Sequence, residues 1–229
     1  MDQQKKWDVD CVIYDCDGVL FDSLDANRRL YNSIALAARG TGLNDDELCY
    51  CHTRTVFQSI AHICRNDAQS ERRAREFFAS TIDFRDFIPY LTMEPNVTET
   101  LERLKARGIS RAISTNRTTS MKHIMERYGL WQYFDIVVTA AHQAEAGSDG
   151  GPARTILQAK SKPDPEGVEM ILQALKVKRE ATLYVGDSEV DMGTARSSGV
   201  RFVAYKNGAL EADGSIDDHL ALLEFLSDG

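Results

Sequence analysis

Nowhere in these 229 residues is there an apolar run long enough to cross a membrane, which takes about 20 apolar residues in succession. The start, Met1-Asp2-Gln3-Gln4-Lys5-Lys6, leads into Trp7 and Asp8 rather than into an apolar signal segment. The expectation is a cytoplasmic protein with no membrane partner. A basic excess is also missing. Lys and Arg number 27 against 35 Asp and Glu, a formal net charge of −8. A general nucleic-acid binder needs a basic face, so nucleic acid is not an expected partner. A small anionic ligand remains open, because a local cation overrides net charge.

Cysteine is sparse and unpaired in pattern. Cys11, Cys16, Cys49, Cys51 and Cys64 are an odd set without paired C-x-x-C spacing. That argues against a disulfide framework and against a zinc site. The local group Cys49, Cys51, His52, His62 and Cys64 reads as ordinary helix packing. On one helix His62 and Cys64 would lie about 200° apart, on different faces. No internal repeat is visible. With 43% apolar residues the chain can build one large domain or a domain with a lid.

What is present is concentrated at Val12-Ile13-Tyr14-Asp15-Cys16-Asp17-Gly18. A short apolar run ends in two carboxylates at i and i+2, and a glycine follows. Such a run reads as a buried strand, from Cys11 to Tyr14, that delivers Asp15 at its C-terminal edge. In open α/β sheets ligands bind at that edge. From about Asp25 to Phe87 the pattern is helical. Apolar stripes are expected at Leu30, Ile34 and Leu36 to Ala38, at Val56, Ile60 and Ile63, and at Phe77 with Phe78. After Pro89 strand and helix alternate. Strands are expected at Ile109–Ser114, Phe134–Thr139, Thr182–Gly186 and Val200–Ala204. Helices are expected from Pro95 to Arg107, Thr118 to Tyr128, Asp164-Pro165 to Leu175, Ser188 to Ser198, and Ile216 to Leu226. Residues 140–161 read as an unusually long connection.

The alternation predicts an α/β fold, a mainly parallel sheet with helices on both faces. The expected core is 1–23 with 91–229. The helical block 24–90, inserted straight after the first strand, is expected to act as a lid.

Asp15 and Asp17, Ser114-Thr115-Asn116, Lys162 and Gly186-Asp187-Ser188-Glu189-Val190-Asp191 all fall at strand ends or helix starts. They bring carboxylates, an ammonium and a hydroxyl to one rim. That set suits phosphoryl transfer. An aspartate is ionised at neutral pH and attacks without a base. Mg²⁺, a hard cation, offsets the repulsion between carboxylate and phosphate. Lys162 adds a point charge and Thr115 a hydrogen-bond donor. Asp17 can protonate the leaving oxygen and later deprotonate water. Each piece also has a structural reading. Ser188 and Asp191, for instance, match a capping box.

Asp15-x-Asp17-Gly18-Val19-Leu20-Phe21-Asp22-Ser23, Thr115-Asn116, Lys162-Pro163-x-Pro165 and Gly186-Asp187-Ser188-x-x-Asp191 resemble the four ordered motifs of the haloacid dehalogenase superfamily. The branch with phosphoglycolate phosphatases and β-phosphoglucomutases, which carries a helical cap, is the most similar. The resemblance implies a Rossmann-like core with an inserted α-helical cap domain. It implies Asp15 as nucleophile, Asp17 as acid/base, and Thr115 and Lys162 on the phosphate. It also implies Mg²⁺ on the Asp15 carboxylate, the Asp17 carbonyl and Asp187, with Asp191 as ligand or support. Asp17 matches the phosphate-processing pattern rather than a dehalogenase.

The expected activity is Mg²⁺-dependent hydrolysis of a small phosphorylated metabolite. The alternatives are a sugar phosphomutase using the same aspartyl phosphate, and a non-catalytic phosphate- or metal-binding regulator. Two departures bear on substrate. The segment Cys51-His52-Thr53-Arg54-Thr55 lacks the glycine of the family's specificity loop, and 140–161 is long. Asn116, His52 and Arg54 are the substrate contacts of first choice, with Arg28, Arg29 and Thr53 behind them. The oligomeric state is not legible.

Overall fold

The computed structural model describes residues 6–52, 54–141 and 156–227. The chain forms two compact units. One comprises Met1–Phe21 with Met93–Gly229, the other Asp22–Thr92. Thr53 and residues 142–155 lie outside the described residues, and with them most of the 140–161 connection.

The first unit is built on a seven-stranded sheet of order β6-β5-β4-β1-β7-β8-β9. The strands are β1 (Cys11–Tyr14), β4 (Ser110–Thr115), β5 (Ile136–Ala140), β6 (Ile156–Ala159), β7 (Thr182–Gly186), β8 (Arg201–Tyr205) and β9 (Gly214–Ile216). Their pairings are parallel. Helices α5 (Val97–Ala106), α7 (Glu166–Leu175) and α8 (Glu189–Ser198) pack on the strands, and α6 (Met121–Arg127) follows β4. All four residues of β1 are at most 1% exposed. Burial on both faces explains why β1 reads as a continuous apolar run rather than an alternation. Each such aliphatic side chain contributes about 1.5–3 kcal/mol.

Strand order reverses at β1. The chain goes outward on one side through β4, β5 and β6, and on the other through β7, β8 and β9. Tyr14 stands opposite Ile113 on β4 and Val185 on β7. Asp15, Ser114-Thr115 and Gly186-Asp187 therefore leave the sheet side by side at the reversal, where open α/β sheets bind ligands.

Several expectations need correction, among them the start of α6, at Met121 rather than Thr118. Residues 156–159, read as part of a long connection, form β6 beside β5. The final helix is instead β9 followed by a 3₁₀ turn at His219–Phe225, because Ile216 is buried as an edge strand on β8. Helix α5 begins at Val97 rather than Pro95, with Asn96 at φ 61° before it. Asp164 is not the N-cap of α7. Pro165 holds that place, and the Asp164 Oδ1 accepts the Glu166 N–H one step earlier at 3.0 Å.

The second unit holds α1 (Leu24–Arg39), α2 (Asp45–His52), α3 (Val56–Ile63), α4 (Ala68–Thr81) and a 3₁₀ segment Phe84–Tyr90. The two-residue strands β2 (Phe21–Asp22) and β3 (Thr92–Met93) mark the crossings between units. Its core gathers Leu30, Tyr31, Ile34, Ala35, Ala38, Cys51, Ile60, Ile63, Cys64 and Ala74. Leu36, expected in the α1 stripe, is 49% exposed. It lies about 200° round the helix from Ile34, so Tyr31 and Ala35 take its place. Cys51 and Cys64 pack in this core, and His62 stacks on Tyr50. Arg39 grips Glu47 with both terminal nitrogens, at 2.7 and 2.6 Å. No helix among the described residues is long and apolar enough to cross a membrane.

Candidate active site

The site is assembled from three strand ends and two helix starts. Asp15 follows β1, and its N–H donates to the Val185 carbonyl of β7 at 3.0 Å. Lys162 precedes α7 and is buried. Its Nζ stands 2.8 Å from Asp15 Oδ1 and 2.6 Å from Asp191 Oδ1. Asp187 follows β7. Oxygens of Asp15, Asp187 and Asp191 lie within 4.8 Å of one another.

Two glycines make this crowding possible. Gly18 turns the chain after Asp17 with φ 74°, and a Cβ there would overlap the Asp187 carboxylate. A Cβ on Gly186 would overlap Asp191.

Asp191 closes the capping box read from the sequence. Its Oδ2 accepts from the Ser188 N–H at 3.2 Å and the Ser188 hydroxyl at 2.5 Å, and its own N–H donates to Ser188 Oγ, a complete capping box. Its Oδ1 meanwhile faces Lys162 and accepts from Tyr184 OH at 3.3 Å. Both oxygens are thus engaged, which makes Asp191 a support for Lys162. Asn116 is spent in a similar way: its Oδ1 accepts the Lys162 backbone N–H at 2.8 Å. Thr115 Oγ1 accepts the Arg117 N–H at 3.2 Å, leaving the hydroxyl hydrogen to donate elsewhere.

The charges are strained by burial. Burial pushes Asp15 up to about 7 against the pull of Lys162, and the charges of Asp191 and Asp17 push the same way. Burial likewise lifts Asp187 to about 8, with Asp15 and Asp191 adding to it. Burial opposes the charged form of Lys162, yet Asp15 and Asp191 carry it well above its ordinary value. Four carboxylates (Asp15, Asp17, Asp187 and Asp191) face two cations (Lys162 and Arg117). The surplus is negative and made of hard oxygens, the donor set that suits Mg²⁺.

Arg117 is one site residue missed in the sequence. Its Nε donates to Asp17 Oδ2 and its Nη2 to Asp17 Oδ1, both at 2.7 Å. The only signal was its place directly after Thr115-Asn116, and its partner lies 100 positions away. Tyr184, deep in β7, was also missed; its hydroxyl ties Asp191 to the Ser114 carbonyl.

The nominated residues of the second unit have partners there. His52 Nδ1 is 2.9 Å from Asn27 Nδ2. Arg54 lies 5.7 Å from the Tyr50 ring. Arg28 pairs with Asp45, and Arg29 pairs with Asp25 and lies over Tyr90.

The profile described as haloacid dehalogenase-like hydrolase matches residues 12–205. A phosphoglycolate phosphatase from Rhodobacter capsulatus is 30% identical over 210 residues, 86% of this chain and 84% of the relative. A pyrophosphatase from Oceanobacillus iheyensis is 25% identical over 196 residues, 84% of this chain and 81% of the relative. A crystal structure of a subfamily IA hydrolase of the superfamily, from Geobacter sulfurreducens, matches with a TM-score of 0.77 at 32% identity. It covers 98% of this chain and 100% of that one.

Proposed function

Because this chain belongs to the haloacid dehalogenase-like hydrolase family, we propose that it is a Mg²⁺-dependent phosphatase that cleaves the phosphomonoester of a small metabolite through an aspartyl phosphate on Asp15. The observation that carries the reading is the buried clasp at the sheet edge. Lys162 holds Asp15 and Asp191 at 2.8 and 2.6 Å, with Asp187 beside them. A mere cap or turn has no use for three carboxylates around a buried ammonium, whose desolvation is costly.

In the proposed reaction the Asp15 carboxylate attacks phosphorus and the ester oxygen leaves with a proton from Asp17. Water then attacks the phosphorus of the acyl phosphate while Asp17 takes its proton. Phosphate departs and Asp15 is restored. Lys162 and the Thr115 hydroxyl stabilise the equatorial oxygens. Asp15, the Asp17 carbonyl and Asp187 would hold Mg²⁺, with Asp191 supporting through Lys162. The bound ion would supply the positive charge that lets a carboxylate approach a phosphate dianion. The second unit is proposed as the lid that selects the substrate, with Arg54 and His52 as its contributions.

The test is phosphate release from a panel containing 2-phosphoglycolate, pyrophosphate, sugar phosphates and p-nitrophenyl phosphate, with Mg²⁺. A carboxylate-bearing monoester is expected to be preferred. No turnover of any ester would favour a binding protein. Steady formation of glucose 6-phosphate from β-glucose 1-phosphate and a trace of the 1,6-bisphosphate, without free phosphate, would establish a mutase.

A further inference from the structure

We propose that Arg117 is the positioning residue of the acid–base step: its guanidinium fixes the orientation of the Asp17 carboxylate and so governs proton transfer to the leaving group. The proposal rests on the reading of Asp17 as acid and base. The Asp17 side chain is 36% exposed on the loop after β1. Solvent contact at that level would let an aspartate sample several rotamers. Arg117 removes that freedom. Its Nε and Nη2 each donate to a different carboxylate oxygen at 2.7 Å. Two parallel donors from one planar group set both the position and the plane of the carboxylate, which a single ammonium cannot do.

Arg117 is itself anchored. Its side chain is only 16% exposed, its Nη1 donates to Ser120 Oγ at 3.2 Å, and its N–H donates to Thr115 Oγ1. The loop after β4 therefore aims the loop after β1. The proton moves from the Asp17 carboxyl to the ester oxygen as the P–O bond breaks. It returns from water to the Asp17 carboxylate as the new P–O bond forms.

The experiment compares leaving groups. An alkyl phosphate needs protonation to depart, whereas p-nitrophenolate leaves unaided. With Mg²⁺ present, Arg117→Met is expected to lower kcat/KM on an alkyl phosphate, which reports only the first step, by about 30-fold or more, part of the roughly 10²–10⁴-fold that general acid–base catalysis contributes. Its kcat/KM on p-nitrophenyl phosphate should fall by about threefold at most, while kcat on both esters falls wherever attack of water on the aspartyl phosphate limits turnover. Arg117→Lys keeps the charge without the fork. It should recover part of the alkyl rate, and it carries the test if the methionine variant does not fold. An equal loss of kcat/KM on both esters, as contact with the substrate phosphate would give, or no loss on either, would overturn the proposal. Asp17→Asn is the separate control. If it shows no leaving-group dependence, the acid–base reading falls first and the proposal with it.

Discussion

Lys162 Nζ and Asp191 Oδ1 meet at 2.6 Å with both side chains out of solvent. The ammonium that faces Asp15 is thus held from behind by a carboxylate that also caps α8. Removing one member of such a pair strands a buried charge, at about 3–5 kcal/mol. Asp191→Ala should lower both the melting temperature and kcat. Asp191→Asn should retain more stability than Asp191→Ala, because the amide can still complete the capping box. Equal melting temperatures for wild type and Asp191→Ala would contradict the bracing role.

Asp15→Asn removes the attacking atom while keeping nearly the same shape. Turnover should disappear with the circular dichroism spectrum unchanged. Activity within about tenfold of wild type, a barrier change of only about 1.4 kcal/mol, is incompatible with Asp15 as nucleophile.

Metal dependence follows from the surplus of buried carboxylate. Chelation with EDTA should stop phosphate release and added Mg²⁺ should restore it. Ca²⁺, larger and looser in its coordination, should support a small fraction of the rate. Full activity in EDTA after exhaustive dialysis would refute the requirement.

Acid sensitivity is predicted for Glu47. Its hydrogen bond to Arg39 is the main cause that holds its carboxyl at about 2, below the ordinary 4.5. A depressed carboxylate stabilises the fold above its unfolded pKa and loses that contribution as pH falls through the folded value. Glu47→Gln should cost on the order of 2 kcal/mol at pH 7. The gap from wild type in urea unfolding should hold down to about pH 5 and close between about 4.5 and 2. A gap as wide at pH 3 as at pH 7 would assign the cost to packing instead.

The central strands were readable because burial on both faces forces apolar runs. Cys11–Tyr14 and Thr182–Gly186 are fully or nearly fully buried. Edge strands carry no such demand. Ile156–Ala159 is only partly buried and follows a stretch rich in turn residues, so its pattern is weak. Asp15, Lys162, Asp187 and Asp191 stood out as residue types at strand ends or helix starts, and the register that aligns the strand ends is a property of parallel sheets. Arg117 was invisible for the opposite reason. An arginine in a polar loop reads as solvated, and its fork onto Asp17 exists only once two loops meet. Leu36 misled because an apolar residue within a stripe need not face inward.

The close approach of Gly18 to Asp187 has a consequence for variation at this position. Gly40 shares its left-handed backbone at φ 74°, yet a Cβ there would meet nothing within 4 Å. Asparagine, which tolerates that conformation, should be a near-neutral replacement at residue 40. At residue 18 conformational tolerance is no help, because the volume of even one methyl group is already taken by Asp187. In a saturation library the two glycines should therefore part company. Position 40 should accept a narrow set of small polar residues, and position 18 should accept none. The mutational footprint of the site thus reaches a residue with no side chain and no chemistry of its own.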